Sequence, residues 1–187
     1  MIYPQKLNAK KADLIVKIGV PITAIIIGIL ILINSLCTPD LHWAAIAAGG
    51  IIYTWITAYY AVKKNHNIAD HVLIQLILLS ILTAFIDHKL GFKGWSMSIS
   101  IPILIIVANT TMFVLAIVSR KKYIKYAICQ LLIVIFSMMP MVFIFRNMIA
   151  NKVLSIVALG ISAINFALSL ALSFGDIKEE VKRWLSI

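Results

Sequence analysis

No acidic or basic side chain lies deep within any of the long apolar runs of this sequence. In hydrocarbon an ionisable group is expensive, and one that is retained marks an ion path, a proton relay or a catalytic centre. Its absence removes the usual signpost to ion pumping or intramembrane acid–base chemistry. Paired intramembrane aspartates, G-x-S-x-G and H-E-x-x-H are missing as well, so no nucleophile or zinc-protease pattern is present. A Gly-rich phosphate loop is also lacking; Gly49-Gly50 sits inside an apolar run and reads as a point of close helix packing. Cysteine is limited to Cys37 and Cys129, with no C-x-x-C. The two are expected toward opposite membrane faces, too far apart for a disulfide. No metal or cofactor is expected.

What is present is apolar length. Hydrophobic residues make up 62% of the 187, well above the ~45–50% of soluble domains. A bilayer core of roughly 30 Å takes about 20 apolar residues as a helix. Six spans meet this requirement: Ile18 to Cys37, Leu41 to Val62, His71 to Ile86, Ser96 to Val118, Ile124 to Phe145 and Val153 to Phe174. The third is short and borrows Ile68 and Ala69. Pro21 falls in the opening turn of the first, where its missing N–H costs little, and Pro140 is expected to kink the fifth. Residues 175–187 follow as a tail. Ile177, Val181, Trp184 and Leu185 recur at i, i+4, i+7 and i+8, with Lys178, Glu179, Lys182 and Arg183 elsewhere around the turn, as in an amphipathic interfacial helix. The expected fold is all-α: one integral membrane domain over 1–187, a bundle of six transmembrane helices with that tail.

The net charge of +10 sits in short loops beside the spans, where anionic lipid head groups explain it better than nucleic acid does. Thirteen of the seventeen Lys and Arg fall on one side of the expected spans and four, Lys89, Lys93, Arg146 and Lys152, on the other. Because positive loops stay inside, both termini are expected in the cytoplasm. A short basic start runs straight into the first span with no small-residue cleavage site, so no cleavable leader is expected.

Polar candidates are few. Within the spans they are amides and hydroxyls, chiefly Gln75, Asn109, Gln130 and Asn165. Such groups act as interhelical glue worth about 0.6–2 kcal/mol each, or else Asn109 and Asn165 line a polar path. At the outer rim, Asp40 and His42 in one loop and Asp87 and His88 in the next offer carboxylates and imidazoles for metal binding or acid–base work. Neither pair has a recognised spacing, and the plain expectation is solvated rim residues, with Trp43 and Trp95 in the aromatic belt. Inside, His66 and Asp70 would share a helix face beside His71, although Asp70 also suits a helix N-terminus. Leu73-Ile74-Gln75-Leu76-Ile77 resembles Ile128-Cys129-Gln130-Leu131-Leu132, a faint repeat of two hairpins.

The runs Gly94-Trp95-Ser96-Met97, Ile101-Pro102-Ile103-Leu104-Ile105-Ile106 and then Asn109 carry a family likeness. Asn67-Ile68 with Gln75, and Ile86-Asp87, add to it. Together they resemble a group of Firmicute membrane proteins catalogued as a domain of unknown function, many with a cytosolic zinc ribbon ahead of six helices. The ribbon is absent from this sequence. The resemblance implies a bacterial plasma membrane and six helices. It supplies no reaction, so Asp87, Trp95, Pro102 and Asn109 carry over as motif positions only. The leading expectation is a non-catalytic membrane subunit that binds lipid or a membrane or cytosolic protein partner, anchoring an enzyme at the bilayer. The alternatives are a carrier or channel for a lipid-like or neutral solute, and a membrane enzyme with an Asp/His site at the outer rim.

Overall fold

The computed structural model describes residues 9–63, 68–118, 123–145 and 152–185. Six α-helices fill them: α1 (Ala9–Cys37), α2 (Trp43–Lys63), α3 (Ile68–Lys89), α4 (Ile101–Val118), α5 (Tyr123–Phe145) and α6 (Val153–Leu185). A π-helical turn, Ser96–Ser100, runs directly into α4. Strands are absent among the described residues. All six helices are long and apolar enough to cross a bilayer, consistent with a multi-pass membrane protein.

Three expectations change. α1 starts at Ala9, well before Ile18, so Pro21 lies inside the helix and not in its opening turn. α3 starts at Ile68, as the borrowed Ile68 and Ala69 implied, but continues past Ile86 to Lys89, which makes it a full-length span. α6 continues unbroken through Gly175 to Leu185. The tail is therefore an extension of the sixth helix rather than a separate one, and its side chains from Leu172 onward lie outside the described residues.

The chain divides into two compact units, Met1–His66 with Phe85–Phe92, and Asn67–Ala84 with Lys93–Ile187. In the first, α1 and α2 form a hairpin. At its turn the Leu41 N–H donates to the Thr38 carbonyl at 3.2 Å. Asn34, in the last turn of α1, stitches both arms: its Nδ2 donates to the carbonyls of Thr38 (2.8 Å) and Leu41 (2.7 Å), and its Oδ1 accepts the Ala44 N–H at 3.0 Å. Trp43 Nε1 closes the turn by donating to Thr38 Oγ1 at 2.8 Å. Further along the hairpin, Trp55 Nε1 reaches Thr23 Oγ1 at 2.9 Å. The Trp55 ring lies so close to Gly19 that a Cβ there would stand 2.5 Å from its Cη2. Only glycine permits that approach.

The second unit is organised by a seven-residue rhythm. Buried positions step by three and four, the spacing of helices packed knobs-into-holes. On α4 that series is Pro102, Ile105, Asn109, Met112 and Ala116, with Ile101 and Ala108 buried beside it. On α5 it is Gln130, Ile133, Ser137 and Pro140, with Cys129 buried beside Gln130, and on α6 Ser155, Ala158, Ser162 and, a full heptad on, Ser169. Small residues on α6 let backbones approach closely, the usual device where lipid supplies no hydrophobic drive. Ala69 and Leu76 of α3 join the same core cluster as Ile105, Met112, Ile133 and Ala158. Pro102 cannot donate to the Ser98 carbonyl, as an α-helix would require. The chain accommodates this by widening just ahead of it, and the Ile101 N–H bonds back five residues to Ser96.

Candidate functional site

The most elaborate polar arrangement lies in the middle of the second unit, on Asn109. Its Nδ2 donates to Ser162 Oγ at 2.7 Å and to the Ile105 carbonyl at 2.9 Å. Its Oδ1 accepts from Gln130 Nε2. Its main-chain carbonyl accepts from Asn165 Nδ2 at 3.3 Å, while the Ser162 hydroxyl donates to the Ala158 carbonyl at 2.8 Å. Asn109 and Ser162 are fully buried and Gln130 is 1% exposed. Three helices thus meet on one amide whose two donors and one acceptor are all used. Of the two mid-span asparagines singled out by sequence, Asn109 is the hub and Asn165, half-buried, a spoke. The residues that complete the hub, Gln130 and Ser162, were visible only as scattered polarity.

One heptad from Ser162 toward the start of α6 lies Ser155, 1% exposed. Among the described residues its hydroxyl has no hydrogen-bond partner. At the opposite end of the unit, the Cys129 thiol donates to Asp70 Oδ1 at 3.5 Å. Asp70 lies in the first turn of α3, where a carboxylate suits the helix dipole. Both cysteines are free, Cys37 exposed and Cys129 buried.

The rim residues behave unequally. Asp40, His42 and His88 are exposed, but Asp87 is fully buried, which corrects its reading as a solvated residue. The reason is register: from Leu76 and Ser80, both buried, steps of four and seven lead to Asp87 on the same helix face. His88 is the next residue and points roughly 100° away. Asp87 also terminates the helix. Its carbonyl accepts the Phe92 N–H at 2.8 Å and the His88 carbonyl the Gly91 N–H at 3.3 Å, the paired bonds of a Schellman cap. Gly91 supplies the left-handed residue, with φ at 92°. Lys89 Nζ lies over the Phe85 ring, 5.7 Å from its centre. Trp95 is half-buried and leads into the π turn. Among the described residues, no three His, Cys, Asp or Glu are grouped to hold a metal. His66 lies outside the described residues.

The comparison with known families fits this helical chain. A profile for a family of unknown function, DUF6320, matches residues 3–187. The chain belongs to that family. No curated protein matches it, and no solved structure matches it. The structure gives three of the residues singled out by sequence a physical place. Pro102 sets the π turn, Asn109 joins three helices, and Asp87 is the buried residue at the α3 cap.

Proposed function

We propose that this DUF6320 member is a non-catalytic, multi-pass subunit of the bacterial plasma membrane. Both termini face the cytoplasm, and the protein binds membrane lipid or a partner protein, holding an enzyme at the bilayer. The observation supporting this reading is the closure of the Asn109 hub. Its amide groups bond to neighbouring helices, as glue does, and its hydrogen-bonding capacity is used within the protein. A path for solute would need those amides turned toward water.

The test is a flux measurement on the full chain in sealed vesicles, with neutral solutes and short-chain lipid as cargo, beside an Asn109→Leu variant. A subunit leaves the vesicles tight in both cases and Asn109→Leu melts lower. Flux in the wild type that vanishes in Asn109→Leu without a change in melting would overturn the reading in favour of a carrier. Orientation is tested separately by single cysteines. One near Lys121 is shielded from an impermeant thiol reagent in intact cells and one near Lys93 is labelled, as the charge bias requires.

A further inference from the structure

One heptad from the Asn109 hub toward the start of α4, about 10 Å along the helices, the second unit carries another polar level, built from carbonyl and hydroxyl oxygens. The π turn packs there against α5 and α6. Two prolines, Pro102 and Pro140, are fully buried, and each withholds the N–H that an α-helix would supply. On α5 this leaves the Phe136 carbonyl without its usual donor. In the π turn the Ile101 N–H goes to the Ser96 carbonyl, so Met97 and Ser98 together lack one main-chain donor. Two buried serines have turned their protons away. The Ser98 hydroxyl donates to the Gly94 carbonyl at 2.7 Å and the Ser137 hydroxyl to the Val134 carbonyl at 2.6 Å. On α6 the same level holds Ser155, 1% exposed, its hydroxyl without a partner among the described residues.

A level rich in acceptors and poor in donors selects its guest. A water has two protons to give and would leave lone pairs unmatched, whereas a hard cation takes oxygen ligands alone. Neutral oxygens suit a monovalent ion, because divalent ions draw on carboxylates. Backbone carbonyls released where a membrane helix departs from α geometry are suited to sodium. The small residues Ser155, Ala158 and Ser162 draw α6 close to its neighbours, which favours sodium over the larger potassium ion. We propose that a sodium ion binds at this level. Its ligands are the Ser155 hydroxyl, the Phe136 carbonyl and the released carbonyl of the π turn, with the Ser98 and Ser137 hydroxyl oxygens completing the set. The ion ties the π turn to α5 and α6. This goes beyond the subunit reading and does not depend on it.

The experiment follows the melting of the full chain in detergent, in sodium, potassium or choline chloride at one ionic strength. Relative to choline, sodium is expected to raise the melting temperature by about 2–4 °C once it stands about fivefold above its Kd. Potassium is expected to fall short of that rise. Ser155→Ala is expected to melt no lower than wild type in choline and to lose the sodium response. Pro140→Ala gives the Phe136 carbonyl an N–H and is expected to lose the response as well. Ser162→Ala removes an acceptor of the Asn109 hub but spares this level, so it should melt lower and keep the full shift. The proposal is overturned if sodium produces no rise or potassium matches it. It is overturned equally if Ser155→Ala or Pro140→Ala keeps the full shift, or if Ser162→Ala loses it.

Discussion

Asn109 on α4 and Ser162 on α6 face one another at 2.7 Å, and their helices run in the same direction. In parallel helices with seven-residue periodicity, a contact at one level repeats at the next. Counting back one heptad sets Pro102 level with Ser155; counting forward sets Ala116 level with Ser169. α5 runs the other way, so from Gln130 one heptad onward sets Ser137 at the Pro102 level. By this count the second unit is a stack of layers, with the amide layer at its middle and buried hydroxyls at the levels on either side.

The first prediction concerns that polar layer. Asn109→Leu strips Gln130 of its acceptor and Ser162 of its donor, and should cost about 1–3 kcal/mol in detergent melting. Gln130→Leu alone should cost less. The double variant leaves fewer orphaned groups, so its loss should fall short of the sum of the two. Strict additivity would mean that the two amides do not act as a pair.

A second prediction contrasts two serines on the same face of α6. Ser162→Ala removes the acceptor of Asn109 and should destabilise by about 1 kcal/mol. Ser155→Ala removes a buried hydroxyl that has no partner and should be neutral or stabilising, by up to roughly 1–2 kcal/mol. Thermal melts of the two, side by side, check the order. Equal losses would show that Ser155 has a partner after all, such as a bound water.

Much of this was legible beforehand. Hydropathy located all six spans, and α1 ends at Cys37 and α4 at Val118, as the apolar runs implied. Pro21 was misplaced because Ala9–Lys17 is charged enough to read as a loop while still being good helix. The faint repeat equates Gln75 with Gln130, yet Gln130 is buried in the hub and Gln75 borders a groove between α3 and α4. Residue type alone does not reveal what faces it from a helix fifty residues away. Asp87 was misread because the end of a span suggests water. Its spacing from Leu76 and Ser80 was the available signal. Asn34 was missed entirely: its worth depends on the turn folding back onto it, and only its position four residues before Thr38-Pro39 hinted at that.

The third prediction tests Asn34. Asn34→Ala leaves the Thr38 and Leu41 carbonyls and the Ala44 N–H without their side-chain partner. The hairpin should lose about 2–4 kcal/mol, several hydrogen bonds together. A loosened turn should also speed alkylation of the exposed Cys37. Unchanged melting and labelling would show that water or lipid head groups substitute fully for the amide.

The fourth sets Gly19 against Gly28 within α1. Gly19→Ala drives a methyl into the rigid Trp55 ring and should destabilise by about 1–3 kcal/mol, the cost of overpacking. Gly28 has nothing within 4 Å of a Cβ, so Gly28→Ala should stabilise by about 0.4–1 kcal/mol through helix propensity alone. Melting curves that moved in the same direction for both would reject the close Gly19–Trp55 approach.

The Asn34 stitch and the Trp55–Thr23 bond also bear on the order in which the chain matures. Among the described residues Asn34 bonds Thr38, Leu41 and Ala44, and Trp55 reaches back to Thr23. Every partner in these bonds has therefore been synthesised by the time Lys63 leaves the ribosome. Contacts of such short sequence separation close early and quickly. The hairpin can enter the bilayer as a finished pair, while the Asn109 hub must wait until α6 has been made.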